Sequence, residues 1–392
     1  MPRPVIIDAV RTPVGRGKPT GALHGVHPVE LLAQTLTALV RRNGLDPGIV
    51  DDVIIGCVSQ AGEQSSTPGR QAWLAAGFPA HVPSVTIERK CGSSQQAVQF
   101  AAQGIAAGDV DIVIAGGVES MSRVPMGSAR MGQDPFGPRV TDRFPNLVPQ
   151  GVSAELVAQR YQLGRTELDE YAARSHALAH QTAQSGGFAN EILTVETPFG
   201  AVAADETIRP STTVEGLAQL KPAFDTPQYR ERFPDLGWHI TAGNSSQISD
   251  GAAALLLMSE EAATRLGLRP RARIVASAVV GDDPELMLLG PIPATAKVLR
   301  RSGLSLDEIS AFEVNEAFAS VPLAWLREYP VPPERLNPRG GAIALGHPLG
   351  ASGARLMTTL LNHLEQTGGR YGLQTMCEAG GMANATIIEI VK

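Results

Sequence analysis

One cysteine stands where a strand pattern changes into a helix pattern. Cys91 follows the β-branched stretch VTI, and Gly92-Ser93-Ser94 then opens a segment with apolar residues at helical spacing. A thiol at the N-terminus of a helix faces unpaired N–H groups and the positive end of the helix dipole, so its thiolate is favoured. The pattern therefore predicts a nucleophile at Cys91. The alternative is a small buried cysteine at a strand–helix junction, since free cysteines are often buried.

A single histidine lies within a run of glycines in the last part of the chain. His347 belongs to the segment GGAIALGHPLGASG, and Pro348 fixes the backbone just after it. An imidazole held at a tight turn with little bulk around it suits a base that takes a proton from a thiol. The alternative is an ordinary loop histidine among turn glycines.

Two further polar side chains follow apolar strand patterns. Cys377 ends one such stretch and precedes Glu-Ala-Gly-Gly, where the backbone can approach a ligand closely. Asn315 follows the stretch AFEV. Taken alone, each of these residues would be interpreted as structural. His176 and His180 are four residues apart on a predicted helix, but HALAH lacks the glutamate of HExxH, so a surface pair and no metal site are expected.

The overall composition restricts the class of protein. With 392 residues, 43% of them hydrophobic and 41 of them glycine, the chain can form two packed α/β core units. A net charge of −6 argues against a nucleic-acid partner. No run of about 18 apolar residues occurs, which argues against a membrane span. Three cysteines without a CxxC motif fit a reducing cytoplasm, which is the expected location.

The elements that must position these residues form a weak internal repeat. RRNGL, beginning at Arg41, recurs as RRSGL from Arg300, each preceded by a helix pattern and followed by an apolar strand. The Gly-Gly at the end of DIVIAGG recurs after Cys377 at a similar offset. Duplication of one β/α unit is the interpretation, and chance matching of common turns is the alternative.

This repeat predicts two similar α/β halves, residues 1–120 and 250–392, around an inserted loop domain, 121–249. Strands such as DIVIAGG are continuously apolar, as a sheet that is covered on both faces requires. The insertion is rich in Pro, Arg and Phe and contains two predicted helices, 153–162 and 167–183. Long insertions on a compact core are usually functional.

Taken together, the motifs resemble the thiolase family over essentially the whole chain. The resemblance rests on CGSS at Cys91, NEAFA at Asn315, GGAIALGHPLGASGAR around His347, and Cys377 before a glycine pair. TAGNSSQISDGAAA and the opening DAVRTPVGR are also similar to thiolase segments. The resemblance implies a duplicated fold with a five-layered α-β-α-β-α core and an insertion that binds coenzyme A. It also implies a homodimer or homotetramer, with acyl-CoA and CoA as small-molecule partners.

The resemblance further assigns roles to individual residues. Cys91 would accept the acyl group, His347 would deprotonate it, Cys377 would be the acid/base at the α-carbon, and Asn315 would hold a water beside an enolate oxygen. The oxyanion donors would be the backbone N–H groups of Cys91 and of Ala379, where the family carries glycine. Coenzyme A or substrate would be bound by four further residues, Ser246, Lys221, Ala317 and Phe318.

The implied activity is thiolysis of 3-oxoacyl-CoA to acetyl-CoA and a shortened acyl-CoA, or the reverse condensation. No permanently bound cofactor is expected, because coenzyme A is a co-substrate. The sequences around Cys91 and Cys377 resemble degradative bacterial thiolases, including those of fatty-acid β-oxidation and steroid breakdown. A ketoacyl-synthase-type condensing enzyme, a non-catalytic acyl-CoA-binding protein and a cysteine hydrolase remain alternatives. Ala379 and Arg339 depart from the family pattern, and Arg339 puts the local loop geometry in question.

Overall fold

A computed structural model describes residues 2–391, which form twelve strands and thirteen α-helices. The strands are β1 (Pro4–Arg11), β2 (Gly15–Arg16), β3 (Asp52–Gly56), β4 (Ser84–Ile87), β5 (Ile112–Ser120), β6 (Val195–Thr197), β7 (Gly200–Val202), β8 (Ser249–Ser259), β9 (Ala272–Gly281), β10 (Ile309–Val314), β11 (Tyr371–Glu378) and β12 (Met382–Ile390).

The helices are α1 (Pro28–Arg42), α2 (Pro68–Ala75), α3 (Ser93–Ala107), α4 (Pro138–Arg143), α5 (Gln150–Arg160), α6 (Arg165–Gln184), α7 (Val214–Ala218), α8 (Pro227–Arg232), α9 (Glu260–Leu266), α10 (Pro291–Ser302), α11 (Ser320–Glu328), α12 (Ala342–Leu345) and α13 (Leu349–Thr367). None of the helices within residues 2–391 has the length and apolar character needed to cross a membrane.

The sheet topology contains the same unit twice. On one side the strands lie in the order β3-β5-β8-β1, and on the other in the order β10-β11-β12-β9. In each unit the first two strands are parallel and the next two pairs are antiparallel. The two units meet where β1 pairs with β9 at Val5 and Ile6. The predicted duplication is therefore present in the fold, with β3 and β10, and β5 and β11, in equivalent places.

The packing is layered, as the sequence led us to expect. One apolar core lies between the first strand unit and α1, α2 and α9. A second lies between the second strand unit and α5, α6, α10 and α11. A third surrounds α3 and α13, which are sandwiched between the two strand units. The continuous run in β8 follows from this arrangement, because Leu255 packs on the central helices and Leu256 on the outer ones.

Matching end signals explain the duplicated outer helices. The N-terminus of α1 is capped by His27, whose side chain accepts from the backbone N–H of Val29, and Pro28 opens the first turn. An arginine pair occupies the last turn of α1 and also that of α10, where positive charge is favourable. Each arginine pair is followed by a turn glycine and then by the next strand. This arrangement explains why RRNGL recurs as RRSGL in the sequence.

The central helices α3 and α13 meet at their N-terminal turns. Ser94 Oγ accepts from the N–H of Ala354 at 2.9 Å. Gly353 permits the contact, because a Cβ at this position would lie 2.2 Å from the backbone nitrogen of Gln95. Cys91 and His347 each lie two residues before one of these helices. The packing of two helices from different halves therefore brings both residues to one place.

The segment between the halves is anchored by a buried cation from the first strand. The Arg11 guanidinium is fully buried and contacts Glu191 at 2.8 Å and Asp205 at 2.7 Å. Both carboxylates belong to the predicted insertion. Since a buried charge is tolerated only when it is paired, this cluster fixes the inserted segment onto the first half.

Candidate active site

The predicted nucleophile lies in a tight turn between β4 and α3. Lys90 has a φ of +48°, which is uncommon for a residue with a side chain, and Gly92 is the N-cap of α3. The side chain of Cys91 is only 4% exposed and packs against four apolar residues, Met121, Leu349, Leu356 and Met376. The turn and this cluster define the position of the thiol.

Burial dominates the electrostatics of Cys91. It raises the pKa of the thiol well above the ordinary value, and negative charge on Cys377 and Glu378 adds to the increase. The favourable effect of the helix N-terminus predicted from the sequence is therefore outweighed by burial in the resting site. Because the thiol is protonated at rest, its activation requires a base.

His347 is held as a neutral imidazole with a defined tautomer. Gly346 precedes it with a φ of +82°, and a Cβ there would lie 2.4 Å from Ser249 Oγ, so only glycine fits this turn. His347 Nδ1 lies 2.6 Å from Ser352 Oγ, which donates its own proton to Pro348 O at 2.8 Å. Nδ1 must therefore carry the hydrogen, which leaves the Nε2 lone pair free.

The electrostatic surroundings keep His347 neutral. Burial, followed by the nearby charge of Arg355, lowers the pKa of His347 to about 3. The imidazole is therefore uncharged across the physiological range and can accept a proton at Nε2.

Asn315 joins this group from the end of β10. Its backbone N–H donates to Thr375 O at 3.1 Å, which ties it to β11 just before Cys377. Its Nδ2 lies 3.4 Å from His347 Nε2, a long contact. Its Oδ1 is buried and has no hydrogen-bond partner among residues 2–391, so an acceptor is available for a water or a substrate group.

Cys377 lies at the end of β11, paired with Ala383 of β12. It is 1% exposed, and burial raises the pKa of its thiol to about 12, with a further contribution from the charge of Glu378. The neighbouring Met376 packs against Cys91, and the two thiols are close enough for charge on Cys377 to raise the pKa of Cys91. The structure thus places Cys91 near Cys377 and His347 near Asn315, and Cys91 packs in one cluster with Met376 and Leu349, which neighbour Cys377 and His347 in the chain.

The backbone groups expected to bind an oxyanion lie at two turns. Among residues 2–391, neither the N–H of Cys91 nor that of Ala379 donates to a backbone carbonyl in the turns and loops. Gly380 and Gly381 have φ values of +93° and +73°, whereas φ of Ala379 lies outside this left-handed region. The methyl group of Ala379 therefore introduces no backbone strain, and the N–H survives the departure from glycine.

Three of the four residues expected to bind coenzyme A or substrate, Ser246, Ala317 and Phe318, lie on two segments that contact each other. The N–H of Ser246 donates to Ala317 O at 2.9 Å, and Ser245 bridges to Phe318. Lys221 is exposed and follows α7 in the inserted segment. The neighbouring side chain of Leu220 lies against Gly243, which belongs to the same Thr241–Ser246 segment as Ser246.

Two buried carboxylates without a role predicted from the sequence hold the site together. Glu119 accepts from four groups, Val58 N, Ser59 N, Gln64 Nε2 and Gly350 N, at 2.8–3.0 Å. Glu316 accepts from four others, Tyr171 Oη, Ser175 Oγ, Asn337 Nδ2 and Ile343 N, at 2.7–3.1 Å. Both acids follow runs of apolar strand residues. This pattern could have identified them from the sequence, because an acid that is buried at such a position must be paired with hydrogen-bond donors.

The remaining candidates are structural. His176 is buried rather than on the surface as predicted, and its Nδ1 accepts from the N–H of Arg209. Within residues 2–391, no cluster of His, Cys, Asp or Glu has a metal-binding arrangement. Arg339 is also buried and donates to Gly187 O at 2.7 Å and to Gln366 Oε1 at 2.5 Å. It links the inserted segment to α13.

Comparisons with known proteins agree with this arrangement. The model of the thiolase N-terminal domain matches residues 4–261, and that of the thiolase C-terminal domain matches residues 268–390. The chain is 48% identical to steroid 3-ketoacyl-CoA thiolase FadA6 of Mycobacterium tuberculosis, over 98% of this chain and 93% of that protein. It is 44% identical to a 3-ketoacyl-CoA thiolase of Marinobacter nauticus, over 98% and 97% of the two chains.

A solved structure agrees as well. The crystal structure of the Bacillus anthracis acetyl-CoA acetyltransferase superposes with a TM-score of 0.88 at 39% identity, covering 100% of this chain and 99% of that one. Family models that together cover most of the chain, full-length relatives and a common fold lead to one conclusion. The chain belongs to the thiolase family.

Proposed function

We propose that the chain catalyses coenzyme-A-dependent acyl transfer through an acyl-Cys91 intermediate. In the cleavage direction it converts 3-oxoacyl-CoA and CoA to acetyl-CoA and a shortened acyl-CoA. The observations that support the proposal are the proximity of the Cys91 and Cys377 thiols, the contact between His347 and Asn315, and the cluster in which Leu349 and Met376 pack with Cys91. Neither a hydrolase nor a simple acyl carrier needs the second thiol.

The reaction begins with proton transfer from Cys91 to His347 Nε2. The thiolate attacks the 3-keto carbon of the substrate, and the negative charge that develops on its oxygen is stabilised by the N–H groups of Cys91 and Ala379. Donors fixed at such a position contribute about 2.7–4 kcal/mol each in acyl-transfer sites. The Cα–Cβ bond then breaks, which leaves the acyl group on Cys91 and an acetyl-CoA enolate.

The second thiol completes the cycle. Cys377 gives its proton to the enolate carbon, and acetyl-CoA leaves. The Cys377 thiolate then takes the proton of an incoming CoA thiol, whose sulfur attacks the acyl-Cys91 thioester. Cys91 leaves as a thiolate and recovers the proton from His347. During the enolate stage, Asn315 and the protonated His347 orient donors toward the enolate oxygen, Asn315 through a water.

Coenzyme A and the acyl-CoA substrate are bound by the inserted segment. We assign residues 121–249 as this loop domain, with Ser246 and Lys221 at the coenzyme A and Ala317 and Phe318 lining the site. The supporting contacts are the backbone pairs of Ser245 and Ser246 with the Ala317–Phe318 segment. By analogy with relatives, the active form is a homodimer or homotetramer in the cytoplasm.

The relatives suggest a degradative substrate. Two of the three proteins named above are 3-ketoacyl-CoA thiolases, one of them for steroids, and the third is an acetyl-CoA acetyltransferase. We therefore assign this chain to fatty-acid or steroid breakdown rather than to biosynthetic condensation. Thiolysis of 3-oxoacyl-CoA esters of graded size, from acetoacetyl-CoA to a ring-bearing ester, identifies the preferred acyl group.

Substitution of Cys91 tests the nucleophile. Cys91→Ser is expected to abolish thiolysis of acetoacetyl-CoA and longer esters while leaving the thermal midpoint close to that of the wild type. Intact-mass analysis should find an acyl adduct on the wild type and none on the variant. Full activity of the folded variant would refute the proposal.

Substitution of Cys377 separates the two thiol roles. Cys377→Ala should still form an acyl-Cys91 adduct from an acyl-CoA donor, but it should not catalyse condensation. Normal carbon–carbon bond formation by this variant would remove the assigned acid/base role.

A further inference from the structure

The carboxyl group of Glu378 takes no part in the reaction steps above. It follows Cys377 at the end of β11, is 0% exposed, and neither oxygen has a hydrogen-bond partner among residues 2–391. Gly92 lies directly against it, since a Cβ on Gly92 would be 2.0 Å from Glu378 Oε1. A buried carboxylate without partners is costly, so this position favours the neutral acid.

The amide of Asn384 lies in the same place. Its Nδ2 donates to Gly92 O at 3.0 Å, whereas its Oδ1 is buried and has no donor. Asn384 pairs with Met376 across the β11–β12 ladder, so Asn384 and Glu378 are diagonal neighbours on one face. A protonated carboxyl can supply the missing donor to Oδ1, but a carboxylate cannot, because it only accepts.

The charges around Glu378 make its ionisation consequential. Burial raises the pKa of Glu378 to about 8, the nearby Arg89 opposes this shift, and Glu88 adds to it. Both of these residues lie on the connection between β4 and α3. A negative charge on Glu378 in turn raises the pKa of both Cys91 and Cys377.

We propose that Glu378 is a positioning residue for acyl transfer. Its neutral carboxyl group holds Asn384, and Asn384 in turn holds the Cys91–Gly92 backbone. Ionisation of Glu378 inactivates the site. The inference about activity rests on the proposed thiolase function. On ionisation the proton leaves to solvent and the donor to Asn384 is lost. The new charge then disfavours both the thiolates and the oxyanion. Activity must therefore fall on the alkaline side.

The pH dependence of kcat/KM for thiolysis tests this, measured from about pH 6 to about pH 10. The wild type should lose activity above about pH 8. Glu378→Gln keeps the shape and a donor but cannot ionise, so its activity should persist to at least about one pH unit higher. Glu88→Gln removes a charge that raises the pKa of Glu378, so the activity of this variant should fall at a lower pH than that of the wild type. A Glu378→Gln profile that falls where the wild type falls would overturn the proposal.

A second readout requires no turnover. At about pH 9, Glu378→Gln should react with iodoacetamide at the two active-site thiols at least about threefold faster than the wild type, because a neighbouring negative charge has been removed. Equal rates would contradict the proposal. If thiolysis persists in Cys91→Ser, the proposed function fails, and the alkylation rates still decide the role of Glu378.

If Glu378→Gln does not fold, the wild type itself provides the test. Infrared difference spectra of protein with ¹³C-labelled glutamate should contain two protonated carboxyl bands that are lost near pH 8, because burial raises the pKa of Glu313 as well as that of Glu378 to about 8. A single such band that disappears in Glu313→Gln would overturn the proposal.

Discussion

The hydroxyl of Ser352 is expected to control how well His347 acts as a base. Ser352 Oγ is the acceptor for His347 Nδ1 at 2.6 Å, in a site where the histidine is 4% exposed. Ser352→Ala leaves the Nδ1 hydrogen buried without a partner, which costs about 1–3 kcal/mol. The tautomer with a free Nε2 is no longer stabilised by the hydrogen bond to Ser352. A loss of 1–3 kcal/mol corresponds to roughly a 5- to 150-fold slower acylation.

The assay is rapid-quench acylation of Cys91 by acetoacetyl-CoA, with the adduct quantified by intact mass. Ser94→Ala is the matched control, because Ser94 is a buried serine at the equivalent turn of α3, and its Oγ accepts from Ala354 N rather than from the histidine. It should lose about 0.5–1.5 kcal/mol of stability but acylate within about twofold of the wild type. If Ser352→Ala acylates as fast as Ser94→Ala, the tautomer argument is wrong.

Four other perturbations follow from the same contacts. Gly92→Ala places a Cβ 2.0 Å from Glu378 Oε1 and should lower the unfolding free energy by about 1–3 kcal/mol in a denaturant titration. Gly281→Ala, where a Cβ meets no atom within 4 Å, should change it by less than about 0.5 kcal/mol. Glu316→Gln turns an amide donor toward groups that already donate, and should lower the free energy of unfolding by at least about 2 kcal/mol. The measurement is the thermal midpoint, which should fall. An unchanged midpoint would contradict the arrangement of four hydrogen bonds to Glu316. Ala379→Gly retains the N–H and relieves no strain, so kcat should stay within about threefold, and a larger gain would mean that the methyl group obstructs the site. Burial raises the folded-state pKa of Cys91 and of Cys377, the latter to about 12. The contribution of these two thiols to stability is therefore complete below the ordinary thiol pKa and is lost as pH rises above it. Denaturation midpoints should accordingly fall from about pH 8.5 toward pH 12.

Much of the fold could be predicted because its signals are local. The continuous apolar runs indicated strands that are covered on both faces, and the matching helix ends exposed the duplication. The two helices predicted in the insertion, 153–162 and 167–183, correspond to Gln150–Arg160 and Arg165–Gln184. In each case the signal, a hydrophobic period or a residue type at the end of a helix, involves only residues that are close together in the chain.

The electrostatics of the site could not be predicted in this way. Whether Cys91 is a thiol or a thiolate depends on burial by α13 and β11, which are more than half the chain away. The role of Ser352 depends on the direction in which one histidine nitrogen points, and that of Glu316 on donors from three other segments. A helix N-terminus next to Cys91 was visible in the sequence, but the desolvation that outweighs it was not.

The contact between the N-terminal turns of α3 and α13 has a consequence for biosynthesis. Synthesis proceeds from the N-terminus, so a ribosome-bound chain carries the nucleophile long before its base and its proton donor exist. Such long-range closure is slow compared with local helix formation. Until the last strands arrive, the half-made protein holds a thiol that cannot be activated by His347. The complete arrangement around Cys91 therefore forms only after α13 and β11 have been synthesised.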